Sequence, residues 1–141
     1  MDTTRPIIDT TTHLFRHADR HEWDQLAGVF AEEVDLDYTS LAGGAPARLT
    51  PDEIIAAWRP GFEAIDAHQH LVANHLVDQR GDAATVTATF IATHQWAGET
   101  WTLGGDYTFE LAHTDAWRIT AMTMTAIWQT GDPTLLARAT T

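Results

Sequence analysis

The hydrophobic period of this chain changes near residue 68, and that change restricts the fold more than any other feature. Beyond it, apolar positions recur at every second residue in four runs, 68–79, 83–96, 100–113 and 116–129, the pattern of strands with one face buried. Arg80-Gly81-Asp82, Ala97-Gly98-Glu99 and Thr114-Asp115 separate them; these are hairpin-length loops with turn chemistry, so successive strands pair antiparallel. Before residue 68 the period is 3.6. Ile8, Thr12, Phe15 and Asp19 share one stripe, and Trp23, Leu26, Ala27 and Phe30 a second, which predicts two short amphipathic helices broken near 20–22. Residues 34–40 read as a strand and the Ala-Gly-Gly-Ala-Pro of 42–46 as a turn. Thr50, Pro51 and Glu53 then supply an N-cap, a first-turn proline and the third-position carboxylate of a capping box. The helix they start carries Ile54, Trp58, Phe62 and Ile65 inward, with a kink or break expected at Pro60-Gly61. The tail from Asp132 is read as one short helix or a frayed end.

Helices first and hairpin strands after define an α+β chain with an antiparallel sheet, not a βαβ fold. At 141 residues the sequence is one domain's length, 1–141, without repeat or linker, and such a domain buries ~68–70% of its unfolded surface. Strands of about 14 residues must twist and curl. A curled sheet with about three helices across its open side makes a cone around a deep apolar pocket. Val86, Ala88, Phe90, Ala92, His94 and Trp96 share one strand face and form the expected cavity wall. The threonines and Ile91 between them form the sheet back, an expected self-association surface for a homo-oligomer.

Charge narrows the partners. The net charge is −12, and the eight basic residues are all arginines scattered from Arg5 to Arg138, so nucleic acid and anionic membrane surfaces are poor partners. No apolar run reaches the ~20 residues of a membrane span, and the N-terminus lacks a signal-peptide layout; a cytoplasmic location is expected. Without cysteine there is no disulfide, thiolate nucleophile or cysteine-bound metal. Phosphate loop, nucleotide motif and serine elbow are likewise missing from the sequence. Eight histidines and six tryptophans stand out.

Of the histidines, His94 is the sharpest anomaly, because a polar ring on a small apolar strand face requires a partner or a ligand. Asp19 lies on the apolar stripe of the first helix, His70 on the first long strand, and Tyr38 in the early strand. Each also has a bland reading: a carboxylate rotated to water, a satisfied edge histidine, an ordinary strand residue. His13, His17 and His21 have i, i+4, i+8 spacing but lie off the stripe of Phe15 and Asp19, which favours a solvated face over a metal site. His68 and His113 are read as surface residues. No metal and no cofactor are expected. Phe62, Phe90, Trp96, Tyr107 and Trp128 are the expected substrate contacts.

These positions also carry a family resemblance. Asp19 with Glu22-Trp23, then Leu36-Asp37-Tyr38, Gln69-His70, His94-Gln95 and Ala116-Trp117-Arg118 resemble, in that order and over residues 8–129, the scytalone dehydratase and SnoaL-like branch of the NTF2-like superfamily. The resemblance implies the cone fold and a dimer or trimer. That superfamily includes dehydratases, a dehydrochlorinase, isomerases, epoxide hydrolases, polyketide cyclases and pure binding proteins, so fold alone does not fix function. It further implies that Asp19 orients the imidazole of His70, which removes a proton; that Tyr38 polarises a substrate carbonyl through water; and that His94 is a second pocket histidine. Ala18 stands where scytalone dehydratase has a tyrosine, and Gly105 and Asp106 or Tyr107 where it has serine and asparagine, which argues against scytalone itself as substrate. The expectation is a cofactor-independent dehydratase for a hydrophobic cyclic or polyketide-like hydroxy-carbonyl compound. An isomerase or cyclase using the same base, and a non-catalytic small-molecule binding protein, are the alternatives.

Overall fold

A computed structural model describes residues 3–141. Helix α1 (Arg5–Asp19) and the single-turn α2 (Trp23–Ala27) precede strand β1 (Phe30–Asp37), the short helix α3 (Thr39–Ala42) and strand β2 (Ala47–Leu49). Helix α4 (Pro51–Ala64) leads into the long strands β3 (Ala67–Arg80), β4 (Ala83–Trp96), β5 (Glu99–His113) and β6 (Trp117–Gly131), and helix α5 (Leu135–Ala139) ends the chain. The six strands form one sheet in the order β2-β1-β6-β5-β4-β3. Its four long strands pair as antiparallel hairpins, whereas β1 lies parallel to β6. The sheet is therefore mixed at one side, a pairing that hairpin loops alone do not reveal.

Local chemistry explains most of the boundaries. The buried stripe of α1 is Ile7, Thr11, Leu14, Phe15 and Ala18, about one position N-terminal to the expected stripe, so Asp19 sits at the edge of the apolar face rather than on it. Its last turn carries Arg16 and His17, cations that suit a helix C-terminus. The helix ends where His21 adopts a φ of 56°. In α4 the capping box is complete: the Glu53 N–H donates to Thr50 Oγ1 at 3.3 Å, and the Thr50 N–H donates to Glu53 Oε1 at 3.0 Å. The helix runs on through Pro60, so of the expected kink or break the break does not occur. The proline forfeits one backbone bond, while Trp58 and Phe62 on either side of it stay packed against the core.

Strand β1 starts at Phe30 and stops at Asp37, earlier at both ends than expected. The Asp37 carboxylate accepts from the Thr39 N–H at 2.9 Å and its hydroxyl at 2.7 Å, an Asx-type turn that ends the strand. Tyr38 thus occupies the N-cap position of α3 and not a strand position. The core fills the concave side of the sheet under α1 and α4, with Phe109, Ile119 and Met122 wholly buried, each contributing about 1.5–3 kcal/mol. Leu135 of α5 is also fully buried, so the tail is a docked helix. No helix among the described residues is long and apolar enough to cross a membrane.

Candidate active site

The curled sheet and helices α1, α4 and α5 enclose a cavity of about 180 Å³. Its wall is apolar apart from His70, His94, Tyr38 and Tyr107.

Asp19, the last residue of α1, and His70, on the inner face of β3, meet at one edge of this cavity. The Asp19 carboxylate accepts twice from one residue: His70 Nδ1 lies 2.7 Å from Oδ1, and the His70 backbone N–H donates to Oδ2 at 2.9 Å. A carboxylate only accepts, so Nδ1 carries the hydrogen and Nε2 of the neutral ring is bare. Burial pushes the Asp19 carboxyl up, but the imidazoles of His68 and His70 beside it and the His70 backbone N–H outweigh burial and hold the group well below the usual carboxylate range. Phe15 and Phe62 flank the imidazole, their ring centres 5.2 and 5.9 Å from its own. Asp19 therefore stays an anion, fixed to one nitrogen of a ring that Phe15 and Phe62 flank.

His68 departs most from the sequence expectation. Its side chain is 3% exposed, not a surface group, because β3 already begins at Ala67 and His68 shares the inward parity of His70. The ring is stacked between Phe62 at 4.3 Å and His21 at 5.0 Å. Its Nε2 lies 2.8 Å from His21 Nε2. Its Nδ1 lies 3.3 Å from Asp19 Oδ1, in an orientation that leaves this buried nitrogen without a hydrogen-bond partner. The helical trio of histidines accordingly divides: His21 goes to His68, His17 Nδ1 pairs with Glu22 at 3.1 Å, and His13 remains exposed. Among the described residues, the side chains grouped closely enough to ligate a metal ion are Asp19, His68 and His70, whose ligand atoms all lie within 4.8 Å of one another.

His94 finds the partner its apolar surroundings require. Nδ1 donates to the Trp101 carbonyl at 3.0 Å, and the ring is stacked on Trp101 at 4.7 Å. Burial lowers its pKa to about 4, with the Trp101 hydrogen bond opposing. His94 is consequently neutral near pH 7, and its Nε2 is an acceptor. Tyr38 and Tyr107 are neighbours in the wall, and burial pushes both phenols above their ordinary value. Both remain protonated donors. Tyr107 packs between Phe90 at 4.3 Å and Phe15 at 5.0 Å.

Phe62, Phe90 and Tyr107 line the cavity as expected, but two of the expected substrate contacts do not. Trp96 ends β4 past the cavity, half-buried, with the Arg138 guanidinium 5.5 Å above its ring. Trp128 is 46% exposed on the sheet back. A bulge causes this: Gly105 pairs with Ala126 and Gly104 with Trp128, so Ile127 is an extra residue, and the parity that points Met122 and Met124 inward turns Trp128 outward. Trp101, Leu103, Met122, Met124 and, from α5, Leu136 also line the wall. Strand parity alone could have found the first four. Nothing in local sequence marks Leu136.

Comparison with known proteins agrees with this architecture. The SnoaL-like domain family matches residues 1–123. A crystal structure of a protein from Kribbella flavida is 27% identical, covers 93% of this chain and 94% of its own, and superposes with a TM-score of 0.85. A Novosphingobium aromaticivorans protein assigned as a scytalone dehydratase is 20% identical, with 92% and 87% covered and a TM-score of 0.81. Hexachlorocyclohexane dehydrochlorinase LinA-type3 from Novosphingobium barchaimii is 12% identical, with 89% and 87% covered and a TM-score of 0.76. At these identities the last two establish the fold alone. No curated protein matches the chain. With a family match over most of its length and a cone shared with these structures, the chain belongs to the SnoaL-like domain family.

Proposed function

We propose that this protein is a cofactor-independent lyase, a dehydratase for a small hydrophobic hydroxy-carbonyl compound, with His70 as its base. The observation that carries the proposal is the 2.7 Å contact between Asp19 Oδ1 and His70 Nδ1 beside an apolar cavity, which leaves Nε2 as a bare nitrogen on a cavity-lining ring. An imidazole titrates near ~6.5 when unperturbed, so it can take and return a proton around neutrality. The cavity of about 180 Å³ compares with the ~150 Å³ space that admits benzene in an engineered core, so a substrate of one ring system fits.

In the proposed reaction Nε2 removes the proton α to the carbonyl; the C–H electron pair becomes the enolate C=C bond, and the carbonyl π pair moves onto oxygen. Asp19 stabilises the imidazolium through Nδ1–H, and the Tyr38 phenol donates to the enolate oxygen. The enolate then re-forms the carbonyl, the new C=C bond forms, and the β-hydroxyl leaves, taking the proton from His70 Nε2 as water. His94 is not the acid of this scheme. Held neutral by burial, with Nδ1 committed to the Trp101 carbonyl, it accepts a hydrogen bond from a substrate hydroxyl and orients it.

Elimination is also the chemistry named for the structurally similar dehydratase and dehydrochlorinase. Isomerisation or cyclisation is the second reading, favoured by one observation: with His94 neutral, His70 alone both takes and returns the proton, which suffices for chemistry without loss of water. We also propose self-association through the sheet back, where Leu71, Ile91, Ile127 and Trp128 are 63%, 45%, 65% and 46% exposed. The test is a panel of aromatic and alicyclic β-hydroxy ketones, monitored for water loss and for α-proton exchange into deuterated solvent. Water loss supports the dehydratase; exchange alone selects the isomerase or cyclase. Binding without either signal overturns the enzyme in favour of a carrier.

A further inference from the structure

The unpartnered nitrogen of His68 points to a ligand that the elimination chemistry does not use. A buried imidazole nitrogen without a partner costs stability, and this one lies 3.3 Å from the oxygen that His70 Nδ1 approaches at 2.7 Å. We propose that Asp19 Oδ1, His68 Nδ1 and His70 Nδ1 bind one divalent transition-metal ion of the zinc or cobalt type. Ligands about 2.0–2.1 Å from a tetrahedral zinc are separated from one another by roughly 3.3 Å, the distance from Asp19 Oδ1 to His68 Nδ1, whereas His70 Nδ1, at 2.7 Å from Oδ1, has to draw back slightly; two imidazoles with one carboxylate are a donor set that suits such ions better than calcium or magnesium.

The surroundings fit the same occupant. With a metal on Nδ1, His68 carries its hydrogen on Nε2 and donates it to His21 Nε2, 2.8 Å away, the outer hydrogen bond that metal-bound histidines usually make. Asp19 Oδ2 is anchored by the His70 backbone N–H, which leaves Oδ1 to ligate. A polar groove bordered by Arg16, Arg20, Gln69 and Gln95 reaches Asp19, His68 and His70 from outside and supplies a route for the ion. The two arginines at its rim oppose a cation, while the net charge of −12 on the whole chain favours one.

Metal occupancy and base chemistry exclude one another, a consequence that rests on the proposed function, whereas the binding itself does not. A metal on His70 Nδ1 places the ring hydrogen on Nε2, the atom that has to be bare. The metal is therefore an inhibitor of the elimination, not its cofactor.

The test uses the full chain after dialysis against a chelator, titrated with Co²⁺ by visible absorption and with Zn²⁺ by calorimetry, both without substrate. The expected result is one equivalent bound, with cobalt absorbing as a four-coordinate ion. His68→Gln loses at least 100-fold in affinity, and His21→Ala loses about 10–100-fold, the usual effect of removing an outer partner. A His13→Ala, His17→Ala double variant binds as before. Should His68→Gln fail to fold by circular dichroism, Asp19→Asn carries the same prediction. Absence of saturable 1:1 binding overturns the site. So does binding that survives loss of His68 or Asp19, or that disappears with His13 and His17, which would mark an adventitious helical pair.

Discussion

Acid destabilisation centred on His94 gives a quantitative check of the cavity electrostatics. Its pKa falls from 6.5 to about 4, chiefly through burial. A group whose folded-state pKa is depressed favours the folded state above its unfolded pKa, and that contribution is lost as the pH falls towards the folded value, because the unfolded chain binds the proton first. The window therefore runs from about 6.5 down to about 4. At 1.36 kcal/mol per unit the full loss is about 3 kcal/mol, of which about 2 kcal/mol has gone by pH 5. Asp19 does not confuse the measurement: its carboxyl is held below its ordinary 3.8, so its contribution persists above that value and is lost only at more acid pH. His75, also depressed by burial, acts in the same direction as His94 and is common to every variant. The assay is urea unfolding at pH 7.5 and pH 5 for the wild type and His94→Gln. The variant is less stable at pH 7.5 because the Trp101 carbonyl loses its imidazole donor, but it should lose about 2 kcal/mol less than the wild type between the two pH values. Equal losses in the two proteins would refute a buried, neutral His94.

Three further outcomes follow from other parts of the molecule. His70→Ala should lower turnover by roughly 10²–10⁴-fold with ligand affinity little changed; Asp19→Asn should also impair it, and the double variant should cost far less than the product of the singles, measured as kcat and kcat/KM. Tyr38→Phe should cost less than either. Gly105→Ala should destabilise the fold by several kcal/mol in the same urea assay, because a methyl group there collides with the Thr125 backbone carbonyl across the bulge. Ile127→Arg should shift the molecular mass by light scattering from oligomer to monomer; a wild type that is already monomeric at all concentrations refutes self-association through the sheet back.

Period-two alternation made β3 to β6 readable almost to the residue, since each has one face in the core and the loops between them are short. It also placed Phe90 and His94 inward, because β4 pairs with β5 without a break along its whole length. The same rule misplaced Trp128, and the reason is physical: parity survives only where the register does. Which strand receives the extra residue at Gly104-Gly105 is decided across the β5–β6 pairing, where Ile127 takes it. Tyr38 failed for a local reason that was visible, Asp37 two residues before Thr39, the spacing of a side-chain turn that competes with strand continuation.

His68 shows what local patterns cannot supply. Period alone put it on the same face as His70, yet a histidine at the start of a strand is ordinarily exposed, and what buries this one comes from distant segments: Phe62 on α4 and His21 in the turn after α1. His21 reaches it because the chain turns through a left-handed conformation just after Asp19. The turn that ends the first helix therefore sets two things together: the carboxylate that holds His70, and the imidazole that covers His68. Asp19 is consequently shared between two histidines, and a substitution at His68 should loosen the hold of that carboxylate on His70 without touching substrate. The expected readout is a lowered kcat with KM little changed in His68→Gln, with restoration towards wild type in His68→Asn, whose amide nitrogen can occupy the place of Nδ1. Identical kcat values in all three proteins would mean that Asp19 answers to His70 alone.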